Sequence, residues 1–168
     1  MEMACSFAMR SLGMPLPPKF AVDEMLGSLA RWLRIMGYDA TYEKDHDDDS
    51  ILRISKDEGR VILTRDEELA ARGAPASVFV SSDDLDAQLR QVVGAFGLRA
   101  DEKMVRCTVC NGELEVVAKE SLRGQIPDGA LDNHHEFFKC RGCGKVYWKG
   151  SHWNNIRKRL ESLRSNDA

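Results

Sequence analysis

The sequence predicts an α/β fold, a small parallel sheet flanked by helices, followed by a small cysteine-bearing module. Three observations carry this. Short β-branched runs alternate with helical periodicity from residue 19 to about residue 102. Four of the five cysteines form two Cys-x-x-Cys pairs, Cys107/Cys110 and Cys140/Cys143. The net charge of −3 hides a split: residues 21–100 sum to −6, 101–138 to −4 and 139–168 to +6. A basic tail behind an acidic front points to a polyanionic partner, against which the overall charge taken alone argues.

Residues 1–18 hold Pro15, Pro17 and Pro18 and show no periodicity, so they read as a flexible leader in which Met9 or Met14 could also initiate. Lys19–Val22 is the first short apolar run and ends at Asp23. Met25–Met36 follows as a helix, with Met25, Leu26, Leu29, Ala30, Trp32, Leu33 and Met36 within an arc of about 160°, Arg31 and Arg34 opposite and Gly37 as the cap. Tyr38–Tyr42 reads as a strand, and Asp48–Glu58 as a helix ended by Gly59. Arg60–Thr64 is β-branched and continuous enough to be buried on both faces. A short helix over Asp66–Arg72, a strand over Ser77–Val80 and a helix over Asp84–Phe96 complete the first unit, 19–102. From 103 to 168 glycine and cysteine punctuate strand-like runs at Leu114–Ala118, Phe137–Lys139 and Val146–Trp148, before a basic amphipathic helix over Trp153–Leu163.

Parallel α/β sheets place ligands outside the carboxyl ends of their strands. Each strand exit here presents an acid: Asp23 and Glu24, then Asp45 to Asp49, then Asp66, then Asp83 and Asp84. Carboxylates about 4 Å apart repel by several kcal/mol at intermediate dielectric, and a divalent cation reverses the sign. Mg²⁺ or Mn²⁺ suits such hard oxygen ligands and leaves positions for water and phosphate. Each acid also fits a plainer role. Asp48 or Asp49 can cap the helix that starts there, Thr64-x-x-Glu67 fits a capping box, and Asp83 or Asp84 can cap the next helix.

The two cysteine pairs lie 29 residues apart, with a glycine one or two residues after the second cysteine of each. That spacing suits a structural Zn²⁺ held by Cys107, Cys110, Cys140 and Cys143, and the alternatives are a redox dithiol or unpaired thiols. Cys5 has no partner. Around the second pair, Lys139, Arg141, Lys145, Lys149 and His152 interleave with Tyr147, Trp148 and Trp153. Cations for phosphate and rings for stacking suit single-stranded nucleic acid, although the rings equally suit the core of a small module. No stretch reaches the roughly 18 apolar residues of a membrane helix, and the N-terminus lacks the order of a secretory signal, so a cytoplasmic protein is expected.

Several stretches carry a family pattern: Phe20-Ala-Val-Asp23, Met25-Leu-Gly-Ser-Leu-Ala-Arg-Trp-Leu-Arg34 with Gly37-Tyr-Asp39, and Arg60-Val-Ile-Leu-Thr-Arg-Asp66. The second unit adds Arg106-Cys-Thr-Val-Cys-Asn-Gly112 and Cys140-Arg-Gly-Cys-Gly-Lys-Val-Tyr-Trp-Lys-Gly-Ser-His152. From Phe20 to about Leu160 the chain resembles the Mut-seven C-terminal ribonuclease family, a PIN-like nuclease domain followed by a zinc ribbon. The resemblance implies cleavage of RNA by a carboxylate-held Mg²⁺ or Mn²⁺. By position it makes Asp23, Asp48 and Asp66 the metal-holding acids, with Asp47 adjacent to the second and Asp83 or Asp84 as a fourth. Arg65, with Arg31 or Arg34, is then expected to face phosphate, and Lys145, Lys149 and His152 to hold RNA. A homodimer is admitted, with no residue marking its interface. Two rival readings are a non-catalytic RNA-binding adaptor built on the ribbon and a toxin-like nuclease restrained by a partner.

Overall fold

The computed structural model describes residues 16–164; most of the expected leader, with Cys5, lies outside the described residues. A four-stranded parallel sheet is built from β1 (Lys19–Asp23), β2 (Ala40–Glu43), β3 (Arg60–Thr64) and β4 (Ser77–Phe79), in the order β2-β1-β3-β4. Its helices are α1 (Gly27–Ile35), α2 (Asp48–Glu58), α3 (Glu67–Gly73) and α4 (Leu85–Phe96). After β2 the chain crosses over β1 to form β3, so the strand order reverses direction between β1 and β3. That reversal opens a crevice at their carboxyl ends.

Both faces of the sheet are covered, which explains why β1 and β3 lack polar alternation. Phe20, Val22 and Leu63 share the larger core with Leu29 and Leu33 of α1 and Leu89 and Val92 of α4. Ala21 and Ile62 point the other way, to Ile51 of α2 and Leu69 of α3. The parallel register sets Phe20 beside Val61 and Ala21 beside Ile62, so each face is continuous across the strands.

The second sheet is antiparallel, β5 (Leu114–Val117), β6 (Phe137–Cys140) and β7 (Val146–Trp148), with β6 central. A short helix, α5 (Asp128–Asn133), sits between β5 and β6 and closes a small core of Leu122, Leu131 and Phe137. The sequence reading has no helix there, because six residues behind Pro127 are too few to show a period. The last helix, α6 (His152–Arg164), follows the ribbon in sequence but packs on the first unit, where Leu160 and Leu163 join the larger core.

The first helix also begins differently from the reading of its periodicity. Glu24–Leu26 form a 3-10 turn whose first N–H is held by Asp23, and α-helix starts only at Gly27. Tyr42 explains the break. Its hydroxyl donates to the Glu24 carbonyl at 2.6 Å, and its ring packs so close that a Cβ on Gly27 would lie 3.0 Å away.

Candidate functional site

Asp23 ends β1 and Asp66 follows β3 by two residues, so both stand at the crevice where the strand order reverses. One side chain ties them together. Thr64, fully buried, donates from Oγ1 to Asp23 Oδ2 at 2.8 Å and accepts from the Asp66 backbone N–H at 2.9 Å. Asp23 Oδ1 accepts from Glu24 N, and Asp66 Oδ1 caps α3 by accepting from Glu68 N and Leu69 N. These bonds hold both carboxylates in fixed orientations and leave Asp66 Oδ2 without a donor among the described residues. The cap is therefore Asp66, and Thr64 is the bridge between strands.

The remaining expected acids stand in different settings. Asp47 caps α2, accepting from Ser50 N at 2.8 Å, and hydrogen bonding from the Ser50 hydroxyl and then its N–H holds the carboxyl below its ordinary value. Asp48, in the first turn of α2, lies 3.4 Å from Arg72 of α3, which also pairs with Asp49. Asp84 caps α4 through Ala87 N, and Asp83 is exposed. Arg65 lies between the bridge and the cap; its Nε is shut off from solvent without a hydrogen-bond partner among the described residues. Among the described residues, Asp23, Asp48 and Asp66 are not gathered into a set with all ligand atoms within 4.8 Å of one another. Two carboxylates suffice to anchor Mg²⁺, which keeps several waters.

Glu43 escaped the sequence reading. It ends β2 in register with Asp23 and is only 7% exposed, with His46 Nδ1 at 3.8 Å from its Oε2. Its place as the last residue of a strand is the signal that could have found it; the four aspartates and one histidine of residues 45–49, just beyond, drew attention instead.

The four cysteines do converge. The Sγ atoms of Cys107, Cys110, Cys140 and Cys143 all lie within 4.8 Å of one another, with 3.6 Å between Cys107 and Cys143 and 3.4 Å between Cys110 and Cys140. Four thiolates at ~2.3 Å from Zn²⁺ span edges of about 3.8 Å, so the cluster fits a tetrahedral ion. Each pair forms a tight turn: Asn111 N bonds Cys107 O, and Gly144 N bonds Cys140 O, both at 3.0 Å. Gly112 is required by space, because a Cβ there would stand 2.9 Å from Cys140 Sγ. Burial pushes the Cys107 thiol up, but the Tyr147 hydroxyl and the N–H groups of Cys110 and Val109 outweigh it and bring it to about 6. Among the described residues this is the one group of three or more such side chains close enough to share a metal.

The first turn also clamps the ribbon onto the sheet, and it corrects one expectation. Arg34, expected to face RNA, is only 6% exposed, and its guanidinium is turned to backbone carbonyls. Its Nε donates to Ala40 O at 2.8 Å, and Nη1 donates to Thr108 O and Val109 O at 3.1 and 3.0 Å. The polar face of α1 is covered by the cysteine turn at this point, so opposition to the apolar stripe did not mean exposure. Asn111 Oδ1 accepts from Ala40 N, and its Nδ2 donates to Asp39. Burial pushes the Asp39 carboxyl up, but hydrogen bonds from Arg60 and Asn111 and the charges of Arg60 and Arg106 hold it below its ordinary value.

Arg31, three residues before Arg34, is exposed. It faces a cleft that also takes in Lys145 and His152, while Lys149 lies with its Nζ 5.6 Å from the Trp153 ring. No helix among the described residues is long and apolar enough to cross a membrane.

No curated protein and no solved structure matches the chain. The family model described as the Mut7-C RNAse domain matches residues 18–160, spanning both sheets and most of α6. The chain with the Thr64-bridged acids and the four-cysteine cluster thus belongs to the Mut7-C RNase domain family.

Proposed function

We propose that the protein is a Mg²⁺- or Mn²⁺-dependent ribonuclease whose reaction centre is the crevice at the carboxyl ends of β1 and β3. The observation that carries this reading is the Asp23–Thr64–Asp66 bridge, which fixes two carboxylates at the strand-order reversal. Asp23 and Asp66 would hold the catalytic ion, with Asp48 approaching from α2 beside Asp47. A bound ion supplies water activation at neutral pH and neutralises charge developing on the phosphate. The chain's own residues then have distinct tasks. Thr64 keeps Asp23 and Asp66 in register, and the unpartnered Nε of Arg65 has donor capacity left for a phosphate oxygen. Arg31, Lys145, Lys149 and His152 hold the RNA backbone, the cysteine ribbon presenting Lys145 and Lys149 and the start of α6 presenting His152.

A panel of labelled RNAs incubated with the purified zinc-loaded protein and Mn²⁺ tests this. Cleavage is expected from the wild type, and Asp23→Asn and Asp66→Asn should each reduce it by at least 100-fold, an order set by the charge stabilisation such sites provide. Cleavage retained in both variants would refute the site. RNA binding by all three proteins without cleavage by any would identify a non-catalytic adaptor.

A further inference from the structure

Where α1, β7 and α6 meet, the surface opens into a cleft of about 250 Å³. Its charge is one-sided. Arg31 of α1, Lys103 of the connecting segment, Lys145 just before β7 and His152 of α6 line it, and no carboxylate does. Tyr147, Trp148 and Trp153 belong to the same lining, the Trp148 ring also packing on Phe137 of the small core. Trp153 is 9% exposed, and its Nε1–H, cut off from solvent, has no acceptor among the described residues. An indole nitrogen can only donate, so it is satisfied only if an acceptor is brought to it.

We infer that this cleft is a subsite for one unpaired RNA nucleotide, its base between the rings and its flanking phosphates on the cations. This rests on the ribonuclease reading and deepens it by naming the substrate class as single-stranded. The volume is below the ~300–1,000 Å³ of sites for drug-sized ligands, which suits one flat ring system. A base in a duplex presents its faces to its neighbours and cannot enter, whereas a splayed single strand offers them freely. The geometry also connects the cleft to the acids. α1 begins four residues after Asp23, and its nine residues span about 13 Å, with Arg31 midway and Ile35 of its last turn lining the cleft. A strand lying along α1 would thus have one nucleotide in the cleft and a phosphate near Asp23 and Asp66.

The test uses full-length zinc-loaded protein and a 12-nucleotide RNA, with binding read in the Asp66→Asn background so that no substrate is consumed. The single strand should quench tryptophan emission. The same sequence in a duplex, and an abasic strand of equal length, should quench at least 10-fold less at equal concentration. Arg31→Glu with Lys103→Glu, both at exposed positions, should weaken single-strand binding at least 10-fold and flatten its dependence on log salt by about 1.4, at −0.7 per phosphate contact. In the otherwise wild-type enzyme the same pair should raise KM with kcat unchanged. Trp153→Phe keeps a ring and removes the donor, and should weaken binding while circular dichroism is unchanged.

Equal quenching by the abasic strand or the duplex, or wild-type affinity in the charge-reversed pair, overturns the subsite. Those results leave the ribonuclease reading intact if Mn²⁺-dependent cleavage persists. Base-dependent binding without any cleavage by the wild type sinks the ribonuclease reading and supports the cleft as a binding site.

Discussion

Replacing Arg34 by Met keeps most of the aliphatic stem and removes the fork that joins α1, β2 and the first cysteine turn. Three charge-assisted hydrogen bonds to carbonyls disappear, each worth about 1.5–3 kcal/mol. Two effects reduce that gross figure. The Thr108 and Val109 carbonyls lie on a partly exposed turn and regain water, and the buried guanidinium no longer has to be desolvated, a burden shown by burial drawing the Arg34 pKa below its ordinary value. The fully buried Ala40 retains an unpaired acceptor. A net loss of about 2–4 kcal/mol follows, which for a domain of this size lowers Tm by roughly 5–15 °C. Arg34→Lys, which restores charge without the planar fork, should fall between. Arg31→Met on the exposed side of the same helix should shift Tm by less than about 2 °C. The assay is thermal unfolding of zinc-loaded protein beside the rate of zinc release to a chromogenic chelator. Arg34→Met should release zinc faster, because the turn carrying Cys107 and Cys110 loses its anchor. A Tm within 2 °C of wild type together with unchanged release would refute the clamp.

Three further outcomes follow from the same geometry. Thr64→Val preserves shape but leaves the Asp66 N–H without its acceptor; stability should fall by about 1–3 kcal/mol in denaturant titration, and Mn²⁺-dependent cleavage by at least 10-fold. Removing zinc with a chelator should raise amide exchange across β5, β6 and β7 sharply, with β1 and β3 remaining protected; uniform exchange through both sheets would contradict it. Asp39 is held below its ordinary value, so its contribution is complete above the unfolded pKa of about 3.9 and disappears as pH falls through the folded value. The Tm gap between wild type and Asp39→Asn should therefore hold from pH 7 to about 4 and close below that, whereas a gap constant to the acid limit would show that the charge is not involved.

What was legible in the sequence is what chain-local physics encodes. Arg60–Thr64 could be nothing but a buried strand, and Gly59 before it adopts the left-handed conformation, φ 64°, that an L residue resists. Both cysteine pairs announced their convergence by spacing alone. Asp23 and Asp66 were visible because a parallel strand delivers its last residues to one edge. The features that escaped depend on which distant segment arrives. Arg34 reads as a solvent-facing charge until residues 108–109 cover it, and Thr64 reads as a helix cap until Asp23 is set beside it. Helical periodicity also ran through Met25 and Leu26 into a turn that Tyr42, 17 residues on, bends into 3-10 geometry.

The closing helix has a consequence for how the molecule comes into being. Leu160 and Leu163 complete the hydrophobic layer that Phe20 begins, so the ribbon is an excursion inside the nuclease fold and not an appendage to it. During synthesis the sheet emerges first with that face of its core incomplete. The cysteine module follows, and the segment that seals the core emerges last. A metal held by the four converging cysteines would shorten the effective separation between the two ends of the layer, residues some 140 positions apart in sequence. Closure of the larger core thereby waits on α6: Leu160 and Leu163 can dock beside Phe20 only after the cysteine module that precedes them has been made.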